Sequence, residues 1–267
     1  MADTDRSAIA DCLMQACDAA AEETLPRFRQ GTTIDNKLAE GFDPVTEADR
    51  AAERVIRDVI GRRFARDTII GEEYGTSQGS SARRWIIDPI DGTRAFITGI
   101  PVWGTLIGLY EGDRPLAGAM DQPFTGERYV ALPSSNGCES FSMRASSQLQ
   151  RLHTRPTRKL SQATMMTTSP HLLRNEQDER YFALEERVKM FRYGCDCYAY
   201  AMLSAGHIDL VVESGLNIYD IAALIPIIEG AGGVITNWEG GSASEGGQVI
   251  AAANRDVHAA ALELLCG

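Results

Sequence analysis

Three short segments of the chain place carboxylates beside glycine or an aromatic residue, at points where the backbone is expected to change direction. They are Gly71-Glu72-Glu73, Asp88-Pro89-Ile90-Asp91-Gly92-Thr93 and Tyr219-Asp220. Acids at strand ends and helix starts can converge on one crevice. Brought together without compensation, they repel one another strongly. Hard divalent cations with oxygen ligands remove that repulsion, and magnesium also suits phosphate oxygens. The chemistry these residue types imply is metal-assisted hydrolysis of a phosphate ester.

The middle segment divides the labour. Pro89 locks the chain after a strand. Asp88 and Asp91 stand three apart, a spacing a turn can aim at one ion or two neighbouring ions, and the Ile90 carbonyl between them is a further hard ligand. Gly92 lets the backbone approach a ligand closely. Gly92 and Thr93 open a short helical segment whose free N–H groups suit a phosphate, and the Thr93 hydroxyl is placed to orient an attacking water. In isolation such a motif is also an Asx-turn leading into a helix cap. Its company in one chain with the other two acidic segments favours chemistry.

The elements that must position these residues follow from periodicity. Apolar spacing predicts a helix over 7–28, and Thr46 with Asp49 three residues on predicts a capped second helix whose stripe is Ala48, Ala52, Val55, Ile56 and Val59. Strands are predicted over 68–71 and 85–88, then at meander spacing over 103–110, 115–121 and 128–131. The second half alternates: strand 163–168, helix 175–187, helix 198–205, strand 208–213, a helix over 218–231 kinked at Pro226, strands 233–236 and 248–252, and helix 255–265. No stretch reads as a flexible linker. One domain over 1–267 is expected, with sheets layered with helices and two halves, about 1–145 and 146–267, meeting near residue 145.

Composition narrows the partners. The 267 residues, 44% of them hydrophobic, suffice for a large core. A net charge of -11, from 37 acids and 26 bases, repels nucleic acid and anionic membranes, so neither is expected as a partner. A small anionic substrate is repelled too unless its site carries cations. No signal peptide or membrane span is read in the chain. The six cysteines match neither a disulfide framework nor a zinc site, and reduced thiols in a cytoplasm fit them best. Cys138 and Arg144 have the bare spacing of a cysteine phosphatase, but the five residues between them include no glycine, and Glu139 disfavours a thiolate.

In combination and in order, these motifs resemble the inositol monophosphatase superfamily over most of the chain. The resemblance runs from Asp43-Pro44-Val45-Thr46-Glu47-Ala48-Asp49 through Gly71-Glu72-Glu73 and the segment from Trp85 to Thr93, to Ile218-Tyr219-Asp220 and Gly230-Ala231-Gly232-Gly233. It implies an α/β (α+β) fold, a layered α-β-α-β-α sandwich of the inositol monophosphatase and fructose bisphosphatase type, usually a homodimer. It implies two or three Mg2+ ions ligated by Glu72, Asp88, the Ile90 carbonyl, Asp91 and Asp220, with phosphate contacts at Gly92 and Thr93. Asp49 is implied as the partner of Thr93. The expected mechanism is direct in-line hydrolysis without a phosphoenzyme. One ion, on Glu72 and Asp88, activates a water oriented by Thr93 and Asp49. A second ion, on Asp88, Asp91 and Asp220, stabilises the leaving alkoxide.

A subgroup of histidinol-phosphate phosphatases is more similar still, on residues 91–96, 99–109, 194–200 and 213–220. Such a substrate carries an ammonium and an imidazole, so its pocket should offer an acid beside the metal cluster. Asp196 and Glu213 are the candidate acids, and Arg94, where inositol phosphatases commonly have a neutral residue, is a further candidate substrate-binding residue. Otherwise Asp196 would cap the following helix and Glu213 would bind a polyol hydroxyl. The alternative activities are those of an inositol monophosphatase or another small-molecule phosphatase, such as a nucleotide 3′-phosphatase. From a different class comes a non-catalytic metal- and phosphate-binding regulator, which would have no use for a water-orienting dyad.

Overall fold

The computed structural model describes residues 3–30, 34–36, 44–144, 148–173 and 176–266. Asp43, Asn175 and the expected junction near residue 145 lie outside the described residues. The first half runs α1 (Asp3–Thr24), β1 (Ile34–Asn36), β2 (Pro44–Thr46), α2 (Glu47–Arg63), β3 (Thr68–Gly71), β4 (Gly75–Ser77), β5 (Arg83–Asp91), α3 (Thr93–Ile97), β6 (Gly104–Glu111), β7 (Arg114–Gln122), β8 (Glu127–Ser134) and β9 (Gly137–Arg144). The second runs β10 (Gln150–Arg151), β11 (Thr164–Thr167), α4 (Glu176–Glu185), β12 (Met190–Tyr193), α5 (Asp196–Ser204), β13 (Leu210–Leu216), α6 (Ile218–Ile221), α7 (Leu224–Gly230), β14 (Val234–Asn237), β15 (Gly247–Ala252) and α8 (Arg255–Cys266).

Two large sheets organise these elements, beside the two-stranded antiparallel pair β1-β2. The larger has the order β10-β9-β8-β7-β6-β5-β3-β4, the smaller β12-β11-β13-β15-β14. The side-chain period of two in a strand decides which layer each residue enters. In β8, Tyr129 and Ala131 pack with α5 and α7, while Val130 and Leu132 pack with α1 and α2. In β15, Val249 and Ala251 join that central helical layer, while Ile250 and Ala252 face α4 and α8. The result is the expected α-β-α-β-α sandwich. Its central hydrophobic cluster draws on both halves, from Leu106 and Met120 to Leu203 and Ile227. No helix among the described residues is long and apolar enough to cross a membrane.

The capped start of α2 forms as expected: the Thr46 hydroxyl accepts the Ala48 N–H at 3.1 Å, and Asp49 accepts the Thr46 N–H at 2.8 Å. The helix expected over 218–231 is instead two, α6 and α7, with the break at Ala222 and Ala223 rather than at Pro226. Pro226 sits in the first turn of α7, where an N–H has no intrahelical partner to lose. Strands β9 and β12 escape the periodicity reading because Glu and Ser interrupt the apolar run of β9, and β12 is only four residues long.

The break between α6 and α7 rests directly on the large sheet. A β-carbon at Gly108 would lie 2.8 Å from the Ala222 carbonyl carbon, and one at Gly118 would lie 2.3 Å from the Ala223 oxygen. Side chains there would push the central helices off the sheet. Gly118→Ala should therefore destabilise the protein by about 1–3 kcal/mol. The urea-unfolding midpoint measures this, and an unchanged midpoint would mean that the helices have room to move.

Candidate active site

Strand β5 carries two of the acids, and an irregularity in its pairing decides where they point. Asp88 stands opposite Leu106 on β6 and Asp91 opposite Gly104, so three steps on β5 match two on its neighbour. In a regular strand, residues three apart face opposite sides of the sheet. The extra residue of a bulge turns Asp88 and Asp91 toward one side. Pro89 suits this position because it has no N–H to give the ladder. Its carbonyl accepts the Thr105 hydroxyl at 2.8 Å. The motif expected just after a strand is thus the bulged end of the strand itself.

Asp220 arrives from the other half, in the single turn of α6, and its Oδ2 accepts the Asn217 N–H at 2.6 Å. One carboxylate oxygen each from Asp88, Asp91 and Asp220 lie within 4.8 Å of one another. Glu72, in the turn after β3, is close enough for its charge to act on Asp88, Asp220 and Asp49. Burial, then repulsion from Glu72, Asp91 and Asp220, pushes the Asp88 carboxyl well above the usual carboxylate range. Burial and Asp220 do the same to Asp91, and burial first of all lifts Asp220 to about 6. At 4.8 Å and an effective dielectric constant of 20, each like-charged pair costs roughly 3 kcal/mol. An all-oxygen donor set whose main electrostatic problem is its own negative charge fits a hard divalent cation.

Backbone donors offset part of that repulsion. The Cys197 N–H, in the first turn of α5, donates to Asp91 Oδ2 at 2.7 Å, and the Ile90 N–H donates to Asp88 Oδ1 at 3.0 Å. The positive end of α5 favours the ionised carboxylate further.

A cavity of about 570 Å³ opens over the cluster, and Glu72, Asp91, Gly92, Thr93, Arg94, Asp196, Glu213 and Asp220 are among its lining residues. Asp88 is buried behind this lining, and the Ile90 side chain packs with Phe28, Phe96 and Trp103. Gly92 has φ +81°, and a β-carbon there would meet the Asp196 β-carbon at 3.1 Å and the Trp103 α-carbon at 3.2 Å. The position requires glycine for both reasons.

Thr93 and Asp49, expected as partners in orienting a water, make no direct hydrogen bond to each other. The Thr93 hydroxyl donates to the Ile90 carbonyl at 3.1 Å. Asp49 Oδ2 accepts the Thr46 hydroxyl at 2.6 Å as well as its N–H, because a carboxylate at the third position of a helix reaches back to the cap. Asp49 is 1% exposed, and burial raises its carboxyl to about 6.

Asp196 does not cap α5. Cys195 holds the cap position, and Asp196 is the first helical residue, at φ +42°. That left-handed conformation costs an L-residue roughly 1–2 kcal/mol. It accompanies a carboxylate that lies against Gly92, raised to about 6 by burial although the Arg94 guanidinium pulls it down. Glu213, on β13, accepts the Thr168 N–H at 2.6 Å and the Thr167 hydroxyl at 3.3 Å, and burial raises it to about 7.

Sequence reasoning missed the groups that hold these acids. Cys197 and Thr168 act through backbone N–H groups, which leave no signature in residue type. Tyr200, whose buried hydroxyl has no hydrogen-bond partner among the described residues, lines the cavity beside them. Glu53, fully buried on α2, had a visible signal: an acid among apolar positions between Ala52 and Ile56.

Comparison with known proteins joins this geometry to a family. The sequence profile of the inositol monophosphatase family matches residues 5–266. The bifunctional phosphatase IMPL2, chloroplastic, of Arabidopsis thaliana is 40% identical over 276 residues, spanning 99% of this chain and 77% of that protein. A histidinol-phosphatase of Streptomyces coelicolor is 36% identical over 256 residues, 92% of each chain. A solved inositol monophosphatase from Zymomonas mobilis superposes with a TM-score of 0.85 over all of both chains, at 36% identity. The matched profile spans both halves that build the acid cluster, and the chain belongs to the inositol monophosphatase family of phosphatases.

Proposed function

We propose that this phosphatase hydrolyses histidinol phosphate to histidinol and phosphate, with magnesium as its metal. The observation that carries the substrate assignment is the presence of two further acids, Asp196 and Glu213, in the cavity that also holds Asp91 and Asp220. Burial raises Asp196 to about 6 and Glu213 to about 7, so each holds its proton more tightly than an exposed acid. An ammonium group entering the cavity favours their charged forms and converts neutral contacts into charge-assisted hydrogen bonds. The histidinol-phosphatase named among the relatives supports this substrate. The name of the Zymomonas mobilis neighbour favours the alternative, an inositol monophosphate, for which Glu213 would accept a polyol hydroxyl.

Glu72, Asp88, Asp91, Asp220 and the Ile90 carbonyl would hold the magnesium. When bound, it supplies a water of lowered pKa and neutralises charge on the phosphoryl and leaving oxygens. The N–H groups of Gly92 and Thr93 donate to the phosphoryl oxygens as charge shifts. The Thr93 hydroxyl orients the attacking water, and Asp49 holds the start of α2 behind Glu72. Arg94 flanks the substrate beside Asp196. Attack is in line and direct. Cys197 lines the cavity but is no nucleophile, because burial and the neighbouring Asp91 hold its thiol well above the usual range.

The homodimer and the cytoplasmic setting belong to the same proposal. The edge strand β12 exposes Met190, Phe191 and Tyr193 by 40–50%, an apolar margin suited to a second copy of the chain, which light scattering would detect. All six cysteines are free, which supports a reducing compartment.

Chelation with EDTA should abolish phosphate release and magnesium should restore it, and Asp91→Asn should lose more than about 100-fold in activity with the fold intact. Full activity in the chelator would end the metal reading. Measured kcat/KM should be higher for histidinol phosphate than for inositol phosphate, and Asp196→Asn should lower the first far more than the second. Equal losses would detach Asp196 from amine recognition. Glu213 adds a pH signature. Its folded-state pKa of about 7 lies above the ordinary 4.5, so the folded state holds the proton more tightly and stability falls as pH rises between those values. Glu213→Gln removes that loss. In the substrate-free protein the variant should gain up to about 3 kcal/mol on the parent between pH 4.5 and 7.5, read by denaturant titration. A pH-independent difference would refute it.

A further inference from the structure

We propose that Glu53, paired with Arg57, is a positioning residue that sets Glu72 in the acid cluster. The inference rests on the reading of Glu72 as a metal ligand. Glu72 sits in the turn between β3 and β4, and although β3 is anchored in the core by Ile69, the far side of this hairpin has little apolar anchorage: all three residues of β4 are exposed, and Tyr74 is 45% exposed. Polar contacts from α2 hold it instead. Glu53 Oε2 accepts the Glu73 N–H at 2.7 Å, and Oε1 accepts the Tyr74 N–H at 3.2 Å. Arg57 Nε donates to the same Oε1 at 2.7 Å, its Nη1 donates to Ser77 Oγ at 2.9 Å, and its Nη2 donates to the Gly75 carbonyl.

These contacts fasten the chain just after Glu72, whose own N–H donates to the Ile87 carbonyl at 3.2 Å. Glu53 is fully buried and does not line the cavity, so it acts through the turn and not on substrate. Gly71 completes the device. A β-carbon there would lie 2.0 Å from Glu53 Oε1 and 2.8 Å from Arg57 Nη2, so only glycine admits the carboxylate to its seat. A carboxylate accepting two backbone N–H groups and a guanidinium is a stiff anchor, because each group lost leaves buried charge uncompensated. A metal ligand held by such an anchor enters the cluster without first being ordered by the ion.

The test is isothermal titration calorimetry with Mg2+ on the metal-free full-length protein, run beside the magnesium dependence of phosphate release and circular dichroism. The variants are Glu53→Gln, Gly71→Ala and Glu72→Gln. In Glu53→Gln either orientation of the amide sets an NH2 against a donor. Gly71→Ala keeps both charges and displaces the carboxylate, so it decides the matter if Glu53→Gln fails to fold. Both should weaken Mg2+ binding about tenfold or more while retaining native dichroism, and saturating magnesium should return their kcat to within about threefold of the parent. Global destabilisation alone would lower the melting temperature and leave the magnesium midpoint in place. Unchanged Mg2+ affinity in folded Glu53→Gln and Gly71→Ala, with affinity lost in Glu72→Gln, would overturn the proposal. Unchanged affinity in Glu72→Gln would instead strike the ligand reading beneath it.

Discussion

Like charges held in one small volume are the constraint around which this protein is built. Asp88, Asp91 and Asp220 bring carboxylate oxygens within 4.8 Å of one another, and Glu72 adds a further negative charge nearby. In a chain without compensation these groups would turn outward or keep their protons. Their convergence needs backbone that cannot relax and donors that share the charge. The bulge in β5 supplies the first, and the N–H groups of Ile90 and Cys197 supply part of the second. A bound metal cation would relieve the repulsion that remains.

The layered fold makes such a cluster possible because it closes two halves over one crevice. The first half contributes Glu72, Asp88 and Asp91 from one region of the large sheet. The second contributes Asp220 from α6 and the N-terminal turn of α5, whose N–H reaches Asp91. The halves approach closely because Gly108 and Gly118 let the carbonyls of Ala222 and Ala223 rest on the sheet. Tight seating of the α6–α7 break therefore does more than stabilise the core. It sets how far Asp220 stands from the acids of β5. Glu213, fixed by Thr167 and Thr168, adds a second acidic region to the same cavity.

Much of the fold was legible because its signals are local. The capped start of α2, the strand over residues 68–71 and the meander of β6 to β8 follow from side-chain period and turn residues. The single long helix expected over 218–231 failed because a proline in a first turn and a proline in a kink look alike in sequence. Strands β9 and β12 were missed because Glu and Ser interrupt the apolar run of β9, and β12 is only four residues long. At the site, residue type identified the acids, the glycine and the threonine. The partners of those residues were less legible: Thr93 turned to the Ile90 carbonyl, and Asp49 to its own helix cap.

By itself the sequence determined which acids, glycine and threonine could gather at one cavity, and the order of elements that carries them. Those properties belong to single residues and short windows. Only the tertiary structure decided that Asp88 and Asp91 face one side, since that depends on a mismatch of register between two strands. It alone decided that Asp91 receives an N–H from a residue 106 positions away, and that the Asp196 carboxylate lies on Gly92 rather than over its own helix. Backbone donors carry no label in the sequence, and long-range pairings appear only when the layers close.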